Sequence, residues 1–128
     1  MSRNSIDYPV ALMAANRLGA IVTLLPCEAK SQDLAYYFRE SSTRLVFSDD
    51  EALGHVQEAC KSAQLHESRI FPLTKAGISN LVGRGHVKVN AWTPTDRAST
   101  TCAFLAFTSG TTGKPKAVRV SDDHDLIG

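Results

Sequence analysis

Hydrophobic and polar positions alternate along the first half of the chain with the spacings of helices and strands. A first helix is expected to be capped by Asp7 and to end at Gly19, because glycine readily adopts the left-handed conformation that closes many helices. A β-prone run from Ala20 to Leu25 follows and is stopped by Pro26. This β-prone run predicts the first strand. The apolar positions of the first helix are Val10, Met13, Ala14 and Leu18.

The following segments repeat this alternation. Ser31 can cap a second helix, and residues 44–48 form another β-prone run. A third helix is expected over residues 51–63, and a short strand over residues 69–73. The buried face of the second helix is predicted at Leu34, Tyr37 and Phe38, and that of the third at Leu53, Val56, Ala59, Cys60 and Ala63.

Strand, helix, strand, helix and strand at these lengths predict an α/β fold. A partial parallel sheet with flanking helices is expected, because parallel neighbours need long crossover connections, which are almost always right-handed. The pattern fades between residues 74 and 97. We interpret 74–97 as an irregular connection within the same domain, with a brief helix around residues 78–82.

Two β-prone runs follow this connection, Cys102 to Phe107 and Ala117 to Val120. They predict a β-hairpin whose loop is unusually rich in hydroxyl groups and glycine. The sequence of this loop region, residues 107–116, is FTSGTTGKPK.

Several chemical groups in this loop suit the binding of phosphate. Hydroxyl groups can donate hydrogen bonds to phosphate oxygens, and Gly110 and Gly113 allow backbone N–H groups to turn toward an anion. Lys116 adds a positive charge, and Pro115 restricts the backbone before it. The segment therefore predicts a phosphate-binding loop. The residues that carry the hydroxyl groups are Thr108, Ser109, Thr111 and Thr112.

The Walker A pattern, GxxxxGK[ST], is the main alternative for a phosphate loop that contains glycine and lysine. Only two residues separate Gly110 from Gly113, and Lys114 is followed by Pro115 rather than by a hydroxyl residue. No helical pattern follows the loop. The spacing therefore argues against a P-loop NTPase.

The string TSGTTGKPK resembles the phosphate-binding signature [YF]TSGTTGxPKG of the adenylate-forming superfamily, which includes acyl-CoA synthetases, luciferases and nonribosomal peptide adenylation domains. The stretch from NSIDYPVALMAANRLGAIV to RLVFSD is similar to the segment that precedes this loop in acyl- and aryl-CoA ligases. The YPVA, RLGAIV and DLAYYF strings look most like the 4-coumarate-CoA-ligase-like group. The resemblance covers essentially all of residues 1–128, which correspond to a slice of the family's larger N-terminal domain.

The resemblance implies an AMP-forming ligation. A carboxylic acid and ATP form an acyl-adenylate and pyrophosphate, and coenzyme A then accepts the acyl group. ATP with magnesium is implied as the nucleotide, and coenzyme A as the co-substrate of the complete enzyme. The residues implied around the ATP phosphates are Thr108, Ser109, Gly110, Thr111, Thr112, Gly113 and Lys116.

No catalytic residue or metal ligand is assigned to this chain. The family's aromatic-Gly-x-Thr-Glu string, its ribose-binding aspartate motif and its C-terminal lysine segment are not found in the 128 residues. The pocket for the acid lies downstream in the family, so the acid substrate is not predicted.

One position within the loop is variable in the family, and two features after the loop depart from the family pattern. Lys114 stands at the variable position, where a solvated side chain is expected. Ala117 stands where the family prefers glycine. His124 lies in an acidic cluster that differs from the family's pattern, and no role is assigned to it. The acidic residues of that cluster are Asp122, Asp123 and Asp125.

The charge distribution, apolar runs and cysteine spacing of the chain argue against several classes of function. The 14 basic and 13 acidic residues are dispersed, so a nucleic-acid partner is not expected. No apolar run approaches the roughly 20 residues of a membrane span, and no signal region is recognised at the start. Three widely spaced cysteines suggest neither a disulfide framework nor a zinc site. A cytoplasmic location is expected, and a peroxisomal one stays open for a longer product.

Three hypotheses remain open. The chain is part of an ATP-dependent acid–thiol ligase and is inactive alone; or it is a non-catalytic remnant that binds nucleotide weakly or docks on another chain; or it is a different NTPase, which the loop spacing disfavours. Under the first two hypotheses the chain is expected to expose apolar surface that the rest of a larger domain would cover.

Overall fold

The computed structural model describes residues 1–2, 5–83, 102–108 and 115–121. In these ranges helices and strands alternate as the sequence predicts. A single turn of 3-10 helix, Glu67–Arg69, precedes the third strand. The elements are α1 (Asp7–Arg17), β1 (Val22–Thr23), α2 (Ser31–Glu40), β2 (Val46–Ser48), α3 (Leu53–Ser62), β3 (Ile70–Pro72), α4 (Lys75–Gly83), β4 (Cys102–Thr108) and β5 (Lys116–Ser121).

The described strands belong to two sheets rather than to one. β2 and β3 pair in parallel, with Val46 opposite Ile70, as the crossover pattern predicts. β1 does not join them. It pairs in parallel with β4, with Val22 opposite Phe104, and β4 pairs antiparallel with β5. The predicted hairpin is therefore confirmed, and it lies in the sheet of β1.

The chain divides into two compact units that correspond to these sheets. Of the described residues, the first unit contains 1–2, 5–11 and 25–83, and the second contains 12–24, 102–108 and 115–121. One boundary between the two units lies within α1, between Ala11 and Leu12.

The core of the first unit is built by α2 and α3 over the inner face of β2. Its buried side chains recur three and four residues apart in both helices, which is the spacing that places residues on one helix face. The predicted apolar faces are thereby confirmed at their centres, while Tyr37, Leu53 and Ala63 are only partly buried. The buried set is Leu34, Ala35, Phe38, Val46, Ala52, Val56, Ala59 and Cys60.

Cys60 lies in this core as a small apolar side chain. Burial raises the pKa of its thiol, and the nearby charge of Glu67 acts in the same direction. Both effects disfavour the thiolate. The thiol is therefore kept in its protonated form, which suits packing rather than nucleophilic chemistry.

The predicted end of the first helix is confirmed. Gly19 has a φ of 72°, and its N–H donates to the carbonyl oxygen of Asn16 at 2.9 Å. The N–H of Ala20 donates to the carbonyl oxygen of Ala15 at 3.0 Å. This pair of bonds satisfies carbonyl groups of the last turn, and the left-handed conformation that it requires suits glycine.

The prediction that Ser31 caps α2 is wrong. Lys30 occupies the cap position without a side-chain hydrogen bond, and Ser31 is the first helical residue. The Ser31 hydroxyl instead donates to Glu58 Oε2 at 2.6 Å. Because its single proton is used there, His55 Nδ1, 3.2 Å from Ser31 Oγ, is the donor of the second bond. The hydroxyl thus joins the start of α2 to α3.

The short helix expected near residues 78–82 is present and extends over Lys75–Gly83. Thr74 Oγ1 accepts a hydrogen bond from the N–H of Gly77 at 3.1 Å, as a helix-capping threonine does. The rest of the predicted irregular connection, residues 84–97, lies outside the described residues.

Two large apolar residues of α1 are exposed to solvent. No residue of this helix is buried, and Val10 and Met13 are 50% and 70% exposed, while Ile6, just before the helix, is 84% exposed. The spacing of three residues between Val10 and Met13 places them along one side of the helix. Within the described ranges, no helix combines the length and apolar character needed to cross a bilayer.

Candidate phosphate-binding hairpin

The register of the β4–β5 hairpin determines which residues flank the candidate loop. Phe107 lies opposite Ala117, and Thr108 lies opposite Lys116 as the last pair before the loop. The loop therefore leaves β4 after Thr108 and returns into β5 at Lys116. Both strands consist largely of the β-prone residues that the sequence predicts, and the segment between them contains two glycines and a proline, which favour turns.

Thr108 and Lys116 are brought together by this register. Residues directly opposite each other in an antiparallel pair place their side chains on the same face, with Cβ atoms about 4.5–5.5 Å apart. Both side chains are exposed. The two side chains therefore leave the same face of the hairpin at the base of the loop.

Among the residues that the structure describes, the Thr108 hydroxyl forms one long hydrogen bond. Thr108 Oγ1 donates to the carbonyl oxygen of Lys116 at 3.4 Å, which is long for an O–H···O bond. Little stabilisation is therefore lost when the hydroxyl turns toward an external oxygen. The Lys116 ammonium group is solvent-accessible, so it can approach an anion without leaving a buried ion pair.

The other predicted loop residues, Ser109, Gly110, Thr111, Thr112 and Gly113, lie outside the described residues, and their roles stay predictions. Lys114, His124 and the acidic residues at 122, 123 and 125 also lie outside them.

Ala117 is described, and its side chain is exposed on β5 opposite Phe107. An alanine is therefore accommodated at the position where the resemblance leads one to expect glycine.

The first unit also contains a shallow cleft of about 300 Å³ at the carboxyl ends of β2 and β3. No signal in the sequence predicted this cleft. It contains none of the predicted site residues. Among the described residues no group of three or more histidine, cysteine or acidic side chains is placed to hold a metal ion. The cleft is lined by Ser48, Asp50, Leu53, Gln57, Glu67, Ile70 and Pro72.

The described residues form an α/β fold that carries a hairpin with Thr108 and Lys116 paired at the base of its loop. The family model of AMP-binding enzymes matches residues 1–125. The chain belongs to this AMP-binding enzyme family.

Curated relatives agree with this assignment. The chain is 26% identical over 122 residues to a 4-hydroxybenzoate–CoA/benzoate–CoA ligase of Rhodopseudomonas palustris, covering 91% of the chain and 22% of the relative. It is 31% identical over 120 residues to acyl-CoA synthetase 7 of Caenorhabditis elegans, covering 87% and 21%. The chain therefore spans about a fifth of the length of these relatives.

Solved structures show the same fold. The luciferase-like enzyme of the mealworm Zophobas morio superposes with a TM-score of 0.78 at 27% identity, covering 94% of this chain and 29% of that one. The predicted resemblance to the adenylate-forming enzymes and the predicted fold class are thus confirmed.

Proposed function

We propose that this chain supplies the ATP phosphate-binding hairpin of an ATP-dependent acid–thiol ligase. Membership of the AMP-binding family and the similarity to acid–CoA ligases support this class of reaction. The observation that carries the proposal is the pairing of Thr108 with Lys116 at the base of the loop. In the complete enzyme the carboxylic acid would displace pyrophosphate from ATP to give an acyl-adenylate, and coenzyme A would then take the acyl group and release AMP; magnesium would share the charge of the phosphates.

The residues of the hairpin would act by electrostatics and orientation. The Lys116 ammonium group would offset negative charge on the phosphates, and the Thr108 hydroxyl would donate to a phosphate oxygen. The hydroxyls of Ser109, Thr111 and Thr112 and the N–H groups around the two glycines would complete the donor set. Donors held in this way position a pyrophosphate leaving group but do not by themselves transfer a proton or an acyl group.

Replacing Lys116 with alanine is expected to weaken ATP binding by tenfold or more, the equivalent of about 1.4 kcal/mol, because a charged donor to the phosphates is lost. Titration calorimetry on the 128-residue chain measures this affinity. Lys114→Ala is the matched control and is expected to change the affinity by less than about threefold, since the family varies this position. Unchanged affinity in Lys116→Ala, or an equal loss in both variants, would remove Lys116 from the proposed site.

The same chain is expected to release no pyrophosphate when ATP is supplied with a panel of carboxylic acids. The family motifs that surround the adenine, the ribose and the magnesium are not found in these 128 residues. Detectable ATP-dependent pyrophosphate release would show that the chain is catalytic by itself.

A second candidate function, an interaction fragment without catalysis, is favoured by the exposed side of α1. Replacing Val10 and Met13 of α1 together with Ile6 just before it, as Ile6→Asn, Val10→Gln and Met13→Lys, is expected to reduce concentration-dependent light scattering, because exposed apolar side chains promote association. Val82→Gln is the control, since Val82 is a 66% exposed apolar residue on α4. If the control lowers scattering as much as the triple change, the α1 surface has no special role.

A further inference from the structure

The shallow cleft of the first unit is lined by charges of one sign. Two of its lining residues, Asp50 and Glu67, are acidic, and none of the lining residues is basic. Both acidic residues are exposed, so their carboxylates are accessible from solvent. A positively charged group that enters the cleft is therefore attracted to it.

The lining side chains offer mainly acceptors of hydrogen bonds. A carboxylate accepts hydrogen bonds and donates none. Ser48 adds no donor, because its hydroxyl proton is already given to the carbonyl oxygen of Asp49 at 2.9 Å. Among the lining side chains only the amide of Gln57 carries N–H groups. A primary ammonium group, with three donors and no acceptor, is complementary to this set.

An ion pair on the surface leaves Glu67 able to bind a second cation. Lys61 Nζ lies 3.6 Å from Glu67 Oε1, and the two side chains are 72% and 56% exposed. A pair that is this long and this exposed contributes little to stability. A cation in the cleft can therefore share the carboxylate with Lys61, which is not one of the lining residues.

The apolar part of the lining is held in place by the fold. Ile70 packs against the core of the first unit, and Leu53 of α3 is half-buried. Pro72 is held by α4, which approaches so closely that a Cβ atom at Gly77 would lie 2.8 Å from Pro72 Cγ. The cleft therefore presents a preformed apolar wall beside its carboxylates, as small-molecule sites commonly do.

We propose that this cleft binds a small primary alkylammonium compound. The ammonium group is bound by the carboxylates of Asp50 and Glu67, and the alkyl chain lies against Leu53, Ile70 and Pro72. The volume of about 300 Å³ is at the lower end of the range of small-molecule pockets, roughly 300–1,000 Å³, and suits a short amine. The site shares no residue with the β4–β5 hairpin, so it does not depend on the proposed binding of ATP.

The test is a titration of the 128-residue chain with n-pentylammonium chloride at constant ionic strength, followed by amide NMR. The amide signals of Leu53, Gln57 and Ile70 are expected to shift together and to saturate. Methylammonium keeps the charge without the chain, and n-pentanol keeps the chain without the charge. Each is expected to bind about tenfold more weakly, because it makes only one of the two kinds of contact.

The combined variant Asp50→Asn and Glu67→Gln is expected to bind pentylammonium about tenfold more weakly, because both negative charges are lost while the shape of the cleft is kept. Glu40→Gln is the matched control, since Glu40 is an exposed acidic residue of the same unit that does not line the cleft. It is expected to change the affinity by less than about twofold. The dispersion of the same NMR spectra shows that the variants are folded.

Three outcomes would overturn the proposal. Equal affinity for n-pentanol and pentylammonium would show that the cleft recognises apolar surface alone. An equal loss in Glu40→Gln would assign the binding to the general charge of the unit. Shifts that do not saturate, or that occur only at residues outside the cleft, would show that the amine does not bind there.

Discussion

Replacing Leu34 with alanine is expected to lower the free energy of unfolding of the first unit by about 2–5 kcal/mol. Leu34 is completely buried between α2 and the neighbouring elements of the core. The loss combines the transfer free energy of the missing carbon atoms with the van der Waals attraction that the atoms around the new cavity no longer have. Small domains are stable by only about 5–15 kcal/mol, so this change removes a large part of the total.

Urea unfolding followed by circular dichroism measures this loss. Leu45→Ala is the matched control, because Leu45 lies in the same unit but is half exposed, and its truncation is expected to cost less than about 1 kcal/mol. If the two changes lower the midpoint equally, α2 does not pack in the core as described. A change in the slope of the transition would indicate instead that the unfolded state was altered.

Replacing Gly77 with alanine is expected to destabilise the chain even though alanine is normally the better helix residue. A Cβ atom at this position would lie 2.3 Å from the carbonyl oxygen of Pro72 and 2.8 Å from its Cγ. The carbonyl belongs to the backbone of β3 and cannot rotate away. α4 must therefore move off the strand, at a cost on the order of 1–3 kcal/mol, which exceeds the helical gain of about 0.5–1 kcal/mol.

Gly54→Ala in α3 provides the matched control. Apart from the adjacent residues and the backbone of the helix itself, no atom lies within 4 Å of a Cβ placed there, so the helical preference of alanine is expected to raise the unfolding midpoint slightly. Thermal unfolding of both variants compares the two effects. A higher midpoint for Gly77→Ala would mean that α4 does not rest on Pro72 at close distance.

The candidate site is partly determined by the local sequence. The flanking β-prone runs and the glycines define a hairpin loop, and the register places Thr108 opposite Lys116 at its base. The roles of residues 109–113 rest on the family resemblance alone, since these residues are not described. The chemistry of a single loop also cannot define the acid substrate, because specificity depends on groups that surround the whole substrate.

The sequence alone determined the helix faces, the end of α1 at Gly19, the hairpin and the family. These features depend on interactions between residues close in the chain, or on a short motif, so spacing and composition are sufficient to reveal them.

Only the tertiary structure shows which strands and side chains that are distant in the sequence pair with each other. β1 pairs with β4 rather than with β2, and local pattern could not show this because every strand edge presents the same backbone donors and acceptors. Ser31 likewise bonds to Glu58 instead of capping α2. A hydroxyl has one proton, and a carboxylate brought close by the packing of α2 on α3 is a stronger acceptor than any neighbour that the local sequence offers.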